Sequence, residues 1–182
     1  MYCLDLTVIK FYVSNNVAVL KFANSESKVN CYTRAFAFEV NRCIEFLDRH
    51  HDELHGAILI SDKKDNFFAG ADLKDFNAHT RDTFYSLSKN AQNNIRFIAG
   101  WDRPVVGAVM GACMGAGLEM ILGCQYVIAA DTEKTLFAAP EGTSLSQLII
   151  SLVNRYFCLI SIDWTDTRSR CDATSPISNQ LQ

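Results

Sequence analysis

The sequence lacks several features that mark particular classes of protein. Its 182 residues carry a net charge of -3, with lysines and arginines scattered along the chain, so no basic surface for nucleic acid is expected. No G-x-G-x-x-G follows a strand pattern, which argues against a dinucleotide-binding dehydrogenase module. The seven cysteines form no C-x-x-C pair, which favours buried thiols in a reducing compartment over a disulfide framework.

Membrane and secretory signals are also missing. The two most apolar stretches, 104–124 and 147–164, are interrupted by Glu119 and Arg155, and an ionised group near a bilayer centre costs about 2.5 to 3.5 kcal/mol. The N-terminal residues show no signal-peptide or transit-peptide pattern and are interpreted as leading into the first strand. The sequence therefore predicts no membrane span and favours the cytoplasm or the mitochondrial matrix.

What the chain does contain is a pattern of alternating strands and helices. Apolar residues make up 49% of the sequence, enough for one domain with its own core. Segments 6–13 and 17–22 predict a hairpin, and strands are predicted at 56–61, 104–109 and 125–131. Helices are predicted over 33–50, from Arg81 to Gly100, and over 115–124.

The predicted order, ββ-α-β-α-β-α-β, is that of an α/β fold. In the first helix, apolar residues at helical spacing predict the buried face: Phe36, Val40, Ile44 and Leu47. Polar residues fall between them: Arg34, Glu39, Arg42 and Glu45. In the second helix the predicted buried face consists of Phe84, Leu87, Ala91, Ile95 and Ile98.

The last part of the chain differs in character from the rest. No glycine follows Gly142, and residues 165–182 are polar with little periodicity. We therefore predict a folded core over 1–145 and a divergent tail over 146–182 that is partly disordered.

Two turns made of small residues could offer backbone N–H donors to a substrate oxygen on which negative charge develops. A helix that begins near Gly115 leaves its first N–H groups unpaired, and small residues there let a substrate approach the backbone. Ala116 and Glu119 are three residues apart and share a helix face. A second turn, Ala69-Gly70-Ala71, follows a strand and offers another N–H. Most such turns are only tight connections, so neither is specific alone.

Two carboxylates, Glu119 and Glu141, lie in otherwise small and apolar sequence. A carboxylate is costly to bury without a partner or a chemical role, so this pair is the best sequence clue to function. Local capping or pairing of Glu119, and an ordinary turn position for Glu141 after Pro140, are the alternatives.

Three motifs in order, FFAGADLKDF, MGACMGAGLEM and CQYVIAADTEKTLFAAPE, resemble the enoyl-CoA hydratase/isomerase (crotonase) family. The likeness runs from about residue 6 to 141 and is strongest to the N-terminal hydratase module of multifunctional fatty-acid oxidation enzymes. It implies a crotonase-like (ββα) superhelix with a missing or divergent C-terminal part.

The resemblance also implies roles for individual residues. Ala71 and Ala116 would donate backbone N–H groups to the thioester oxygen, and Glu119 and Glu141 would activate water for addition to a trans-2-enoyl-CoA in fatty-acid beta-oxidation. The neighbouring turn residues would contact substrate: Ala69, Gly70, Asp72, Leu73, Lys74 and Gly115. No cofactor is expected beyond the coenzyme A of the substrate. A homotrimer or association within a multifunctional complex is the expected assembly.

The sequence departs from the family pattern at two places. Ala116 stands where a glycine is usual, which narrows the space beside the thioester. After Glu141 the family's Pro-Gly and Gly-Gly loop is missing. Two alternatives therefore stay open: a Δ3,Δ2-enoyl-CoA isomerase that needs only one carboxylate, and a non-catalytic acyl-CoA-binding remnant.

A metal site is not predicted. His51 and His55 in HHDELH are four residues apart, but no glutamate follows the first histidine and no third ligand is apparent. A solvated helix end is the favoured interpretation.

Overall fold

The structure, a computed structural model, describes residues 2–72, 80–139 and 160–162. Three α-helices lie in these ranges: α1 (Arg34–Arg49), α2 (Arg81–Gly100) and α3 (Ala116–Leu122). The strands are β1 (Ile9–Ser14), β2 (Val17–Phe22), β3 (Gly56–Ser61), β4 (Asn66–Phe68), β5 (Val105–Val109), β6 (Ala112–Met114), β7 (Tyr126–Ala130), β8 (Leu136–Ala138) and β9 (Ile160–Ile162). Every helix and long strand predicted from the pattern is present.

The strands form two sheets. The larger has the order β1-β2-β3-β5-β7-β9, in which β1 is antiparallel to β2 and the remaining pairs are parallel. The smaller is parallel, with the order β4-β6-β8. Each strand of the smaller sheet is three residues long and comes soon after a strand of the larger one. The chain thus alternates between the two sheets, and the ends of β4 and β6 lie side by side.

The β1–β2 hairpin confirms the predicted turn. Ser14 pairs with Val17, and the two residues between them, Asn15 and Asn16, both have positive φ angles, of 50° and 63°. A two-residue hairpin loop of this kind needs positive φ at both positions, and asparagine tolerates that conformation better than most residues.

A cluster of phenylalanines forms the core between α1 and the two sheets. The rings of Phe22, Phe36 and Phe68 meet edge to face, with centroid distances of 5.3 Å for Phe22–Phe36 and 4.9 Å for Phe36–Phe68. Phe67 also packs against Phe22. Such aromatic pairs stabilise by about 0.5 to 1.5 kcal/mol beyond the area that they bury. They join α1 to β4, the strand that leads into the first candidate turn.

Glu39 was predicted to lie on the polar face of α1, but it is buried. Its side chain is 5% exposed, and both carboxylate oxygens accept hydrogen bonds from the segment that leads into β1. Oε1 accepts from the N–H and hydroxyl of Thr7, at 2.7 and 2.6 Å, and Oε2 accepts from the N–H groups of Val8 and Ile9, both at 2.9 Å. Four donors compensate for the loss of hydration, which helical spacing alone does not reveal.

Part of the predicted tail joins the larger sheet. The strand β9 pairs in parallel with β7, from Ile128 opposite Ile160 to Ala130 opposite Ile162. The other residues of segment 146–182, and the proposed boundary at 145, lie outside the described residues. In the described ranges no helix combines the length and apolarity needed to cross a membrane.

Candidate active site

The two candidate turns lie against each other. One follows β4 and contains Ala69, Gly70 and Ala71, and the other follows β6 at Gly115 and leads into α3. A Cβ atom built on Gly70 would lie 3.5 Å from the carbonyl oxygen of Met114 and 3.9 Å from the backbone nitrogen of Ala116. The parallel pairing of β4 with β6 produces this contact, because it brings the carboxyl ends of both strands to one edge.

Glycines at three positions permit the close approach. Gly70 and Gly115 have φ angles of 88° and 49°, a region that residues with a Cβ rarely adopt. Gly117, in the first turn of α3, faces Phe68 so closely that a Cβ would lie 2.5 Å from the Phe68 Cβ and 3.1 Å from its carbonyl oxygen. The start of α3 is therefore packed directly on the end of β4.

Backbone N–H groups without acceptors occur in both turns. Tyr32 donates its N–H to the Gly70 carbonyl at 2.8 Å, and its own carbonyl accepts from the Asp72 N–H at 3.2 Å. The N–H of Ala71, which lies between those two residues, has no acceptor in the part of the chain that is described. The same holds for the N–H of Ala116, the first residue of α3, since no side chain caps that helix.

A buried network of hydrogen bonds fixes the position of the first turn. Asn30 donates from Nδ2 to the Ser61 hydroxyl at 2.9 Å and to the Phe67 carbonyl at 3.1 Å. The Ser61 hydroxyl donates to the Asn66 carbonyl at 2.6 Å, and the Ala69 N–H donates to the Asn30 carbonyl at 2.8 Å. These bonds fix β4 at both ends, so the position of Ala71 is set by the core.

A cavity opens beside the second turn, between α1, α2 and α3. Its volume is about 20 Å³, which is room for about one water molecule. Ala116 and Glu119 both line it, in agreement with their spacing on the helix. Apolar side chains form most of the remaining wall: Phe36, Val40, Ala91, Ile95, Ile98 and Met120. The wall of the cavity beside Ala116 is therefore mainly apolar.

Glu119 is exposed, which corrects the expectation that it is buried among apolar residues. Its neighbours Leu118 and Met120 are buried, at 1% and 5% exposure, so the apolar sequence around it packs into the core on other sides of the helix. Its N–H bonds to the Gly115 carbonyl at 3.0 Å within the helix. The carboxylate therefore lies at the cavity's rim, where solvent water reaches it.

The remaining predicted site residues fall partly inside and partly outside the described ranges. Glu141, Leu73 and Lys74 lie outside the described residues. Asp72 lies at the edge of the first turn, where its N–H bonds to the Tyr32 carbonyl. Of the two predicted glutamates, the described site thus contains Glu119.

Two lining residues were missed by the sequence reasoning, Tyr32 and Asn94. Asn94 lies on α2 among Ala91, Ile95 and Ile98, which were predicted to face the core. The sequence signal that could have identified Asn94 is a polar residue on a helix face that is otherwise apolar. For Tyr32, which precedes α1, the sequence gives no periodic signal, because its position depends on the bridge to Ala71.

Three of the described cysteines behave as structural residues, Cys43, Cys113 and Cys124. Burial raises the pKa of the Cys43 and Cys124 thiols to about 12, and it also raises the pKa of the Cys113 thiol. Low reactivity follows, because the thiolate is the nucleophile. No group of three or more metal-ligating side chains occurs in the described ranges. His51 instead contacts Asp102, with 3.1 Å between Nε2 and Oδ2.

The raised thiol pKa values predict a loss of stability at alkaline pH. The unfolded chain ionises its cysteines near pH 8.5, whereas folded Cys43 and Cys124 hold their protons to about pH 12, so the unfolding free energy falls between these values. The slope is about 1.4 kcal/mol per pH unit for each thiol. Urea unfolding at pH 8 and pH 10.5 measures it. Cys43→Ala should reduce the slope, while Cys3→Ala, at an exposed position, should leave it unchanged.

Comparison with known proteins places this geometry in a family. Residues 12–144 match the family model described as enoyl-CoA hydratase/isomerase. That match covers most of the chain, including the two turns and α3, and the chain therefore belongs to the enoyl-CoA hydratase/isomerase family.

Crystal structures of other proteins show the same fold at low sequence identity. An enoyl-CoA hydratase from Geobacillus kaustophilus HTA426 is 23% identical with a TM-score of 0.70, over 79% of this chain and 52% of that one. An enoyl-CoA hydratase from Bacillus anthracis is 23% identical with a TM-score of 0.67, over 76% and 52%. An enoyl-CoA hydratase/isomerase from Xanthobacter autotrophicus Py2 is 16% identical with a TM-score of 0.73, over 88% and 69%.

These likenesses confirm the predicted crotonase-like α/β fold. The matched region spans about half the length of the first two proteins. At this level of identity the structural likeness establishes the fold.

Proposed function

We propose that the protein hydrates trans-2-enoyl-CoA thioesters to 3-hydroxyacyl-CoA, as in fatty-acid beta-oxidation. The observation that carries the proposal is that two turns lie against each other beside a cavity lined by Glu119, and that their Ala71 and Ala116 N–H groups have no acceptor among the described residues. An enoyl thioester needs donors at its carbonyl oxygen and an acid or base near its double bond.

The backbone donors would act on the thioester oxygen. As water adds to C3, negative charge moves through C2 onto that oxygen, where the Ala71 and Ala116 N–H groups would stabilise it. Removing one such donor in an acyl-transfer enzyme costs about 10²- to 10³-fold in rate. Because both donors belong to the main chain, the methyl group of Ala116 is compatible with this role.

Glu119 would act on the water. The carboxylate would accept a proton as the water oxygen bonds to C3, and a proton would then be delivered to C2, so that the elements of one water molecule are added. Its exposed position at the rim gives it access to solvent water. Glu141 is proposed as the second glutamate, on the basis of the family motif.

The test is hydration of crotonyl-CoA, measured as the loss of enoyl absorbance. We expect turnover by the wild-type chain and a loss of at least about 10²-fold in Glu119→Gln, since a positioned acid or base contributes about 10²- to 10⁴-fold. Glu133→Gln, at an exposed position after β7, is the matched control and should retain activity. Wild-type turnover no higher than that of Glu119→Gln would overturn the proposal.

Isomerisation of 3-enoyl-CoA to 2-enoyl-CoA is the second candidate. The matching family model includes isomerases by its description, and a proton shuttle between C4 and C2 can operate with one carboxylate, for which Glu119 is the described candidate. In that case either Glu119→Gln or Glu141→Gln should abolish isomerisation while the other is tolerated. Loss of hydration in both variants would instead favour the hydratase.

Calorimetry with a saturated acyl-CoA separates catalysis from binding. Binding without turnover would favour a non-catalytic acyl-CoA-binding protein. Absence of both binding and turnover would exclude thioesters as ligands of this protein. Sedimentation measured on the same sample would test the expected trimer, which is proposed on the resemblance alone.

A further inference from the structure

The segment of residues 30–32, which precedes α1, runs alongside the first turn and binds its backbone on one side. Tyr32 makes two of these bonds: its N–H donates to the Gly70 carbonyl at 2.8 Å, and its carbonyl accepts from the Asp72 N–H at 3.2 Å. In this parallel bridge the Ala71 N–H, which lies between the two bonds, is directed away from the segment. The placement of segment 30–32 therefore sets the direction of the Ala71 N–H.

The side chain of Asn30 fixes that segment to the core. Its Nδ2 donates to the Ser61 hydroxyl at 2.9 Å and to the Phe67 carbonyl at 3.1 Å, and its backbone N–H donates to Oδ1 of Asn66 at 2.8 Å. The Asn30 carbonyl accepts from the Ala69 N–H at 2.8 Å. Because Asn30 is 2% exposed, solvent does not compete for these bonds. One residue thus connects the end of β3, the strand β4 and the first turn.

The orientation of the Asn30 amide is fixed by its partners. The Phe67 carbonyl can only accept a hydrogen bond, so the amide nitrogen must face it. As a result, Oδ1 of Asn30 is buried without a partner in the described part of the chain. Such an oxygen opposes folding, so the favourable part of the side chain is its pair of donor bonds, which hold segment 30–32 in one place.

We propose that Asn30 is a positioning residue that orients the Ala71 N–H toward the thioester oxygen. It acts on Ala71 through segment 30–32. This inference rests on the proposed function, which makes the Ala71 and Ala116 N–H groups the donors to that oxygen, and it adds the residue that sets the geometry of the first donor. Because negative charge develops on the oxygen in the transition state, a displaced Ala71 N–H should slow turnover more than it weakens substrate binding.

The first test measures kcat and KM separately for crotonyl-CoA hydration. In Asn30→Leu, which has a similar shape but no donor, kcat should fall by about 10²-fold, as expected for a catalytic group displaced by about 1 Å. KM should change by less than about 3-fold, because the lost interaction is made mainly in the transition state. Phe11→Leu is the matched control: Phe11 is equally buried, in β1, where its ring packs on Phe46. This variant should lose stability and keep kcat.

A second measurement does not require turnover. Infrared spectroscopy of bound hexanoyl-CoA, isotopically labelled at the thioester carbonyl, reports the hydrogen bonds to that oxygen, because donors lower the C=O stretching frequency. The wild type should lower the frequency relative to free hexanoyl-CoA, and Asn30→Leu should lose about half of this lowering, since one of two donors is displaced. Ser61→Ala removes the hydroxyl that accepts from Asn30 and should change the frequency in the same direction. It serves as the test if Asn30→Leu does not fold.

The outcomes separate this inference from the proposed function. If Asn30→Leu and Phe11→Leu lose kcat equally, Asn30 acts only through stability and the inference is wrong, whereas the proposed function stands. A wild-type carbonyl frequency in whichever of Asn30→Leu and Ser61→Ala folds would also overturn the inference. If the wild type binds no thioester, or binds hexanoyl-CoA without lowering the frequency, the proposed function fails and the inference fails with it. If it lowers the frequency but hydrates no crotonyl-CoA, the hydratase proposal fails, and the comparison of frequencies still decides the role of Asn30.

Discussion

Gly117→Ala is expected to lower both the stability and the activity of the protein. Alanine has the higher helix propensity, by about 1 kcal/mol, so the substitution would stabilise α3 if the space allowed it. It does not, because the new Cβ would lie 2.5 Å from the Phe68 Cβ and 3.1 Å from the Phe68 carbonyl oxygen. Overpacking of this kind costs about 1 to 3 kcal/mol. We therefore expect a net destabilisation in urea unfolding.

The activity should fall further than the stability suggests. To relieve the clash, α3 must move away from β4, and the Ala116 N–H then moves away from the first turn. A displacement of about 1 Å in a catalytic group can cost about 10²-fold in rate. Crotonyl-CoA hydration by folded Gly117→Ala, assayed well below its unfolding midpoint, measures this effect.

Gly100→Ala is the matched control for Gly117→Ala. Gly100 is the last residue of α2, and nothing lies within 4 Å of a Cβ built on it. Its replacement should leave both stability and turnover close to those of the wild type. Wild-type stability and turnover in Gly117→Ala would show that α3 and β4 are not packed as closely as described.

Glu39→Gln is expected to destabilise the protein by about 3 kcal/mol, because an amide nitrogen cannot accept the hydrogen bonds that a carboxylate oxygen accepts. The side-chain nitrogen of the glutamine would face two hydrogen-bond donors, either the pair from Thr7 or the pair from Val8 and Ile9. Three of the four donors are backbone N–H groups, those of Thr7, Val8 and Ile9, so they cannot readily turn to solvent. Urea unfolding at pH 7 measures the change.

The control for Glu39→Gln is Glu45→Gln on the same helix. Glu45 is exposed, so the same chemical change there should alter stability by less than about 0.5 kcal/mol. Equal effects at the two positions would mean that the four bonds to Glu39 contribute little net stability. The comparison cancels the shared effects of removing one negative charge from α1.

The long elements of the fold were predictable because local pattern and tertiary packing agree there. The strand Gly56–Ser61 and the helix Arg81–Gly100 match their predicted starts, since apolar runs and turn residues mark their ends. The three-residue strands β4, β6 and β8 were not predicted, because a strand that short shows no alternation. Glu39 was placed on the wrong face, because its partners come from a segment some 30 residues away.

The candidate site was predictable in its backbone and less so in its side chains. Small residues at 69–71 and 115–117 marked both turns, since few other residues permit such close contact. The exposure of Glu119 was not predictable, because the apolar sequence around it packs elsewhere. Tyr32, which precedes α1, and Asn94 of α2 converge on one cavity, and that convergence is a property of the folded chain alone.

The order of strands in the larger sheet has a consequence for how the protein is made. The sheet order β1-β2-β3-β5-β7-β9 follows the order of synthesis, so each strand that leaves the ribosome can add to the free edge of those already paired. None has to insert between two earlier strands. Parallel pairing requires long connections and is slow to form from a complete unfolded chain. When the sheet grows from one edge during translation, the strands pair one after another. Folding during translation should therefore trap fewer misassembled chains than refolding from urea.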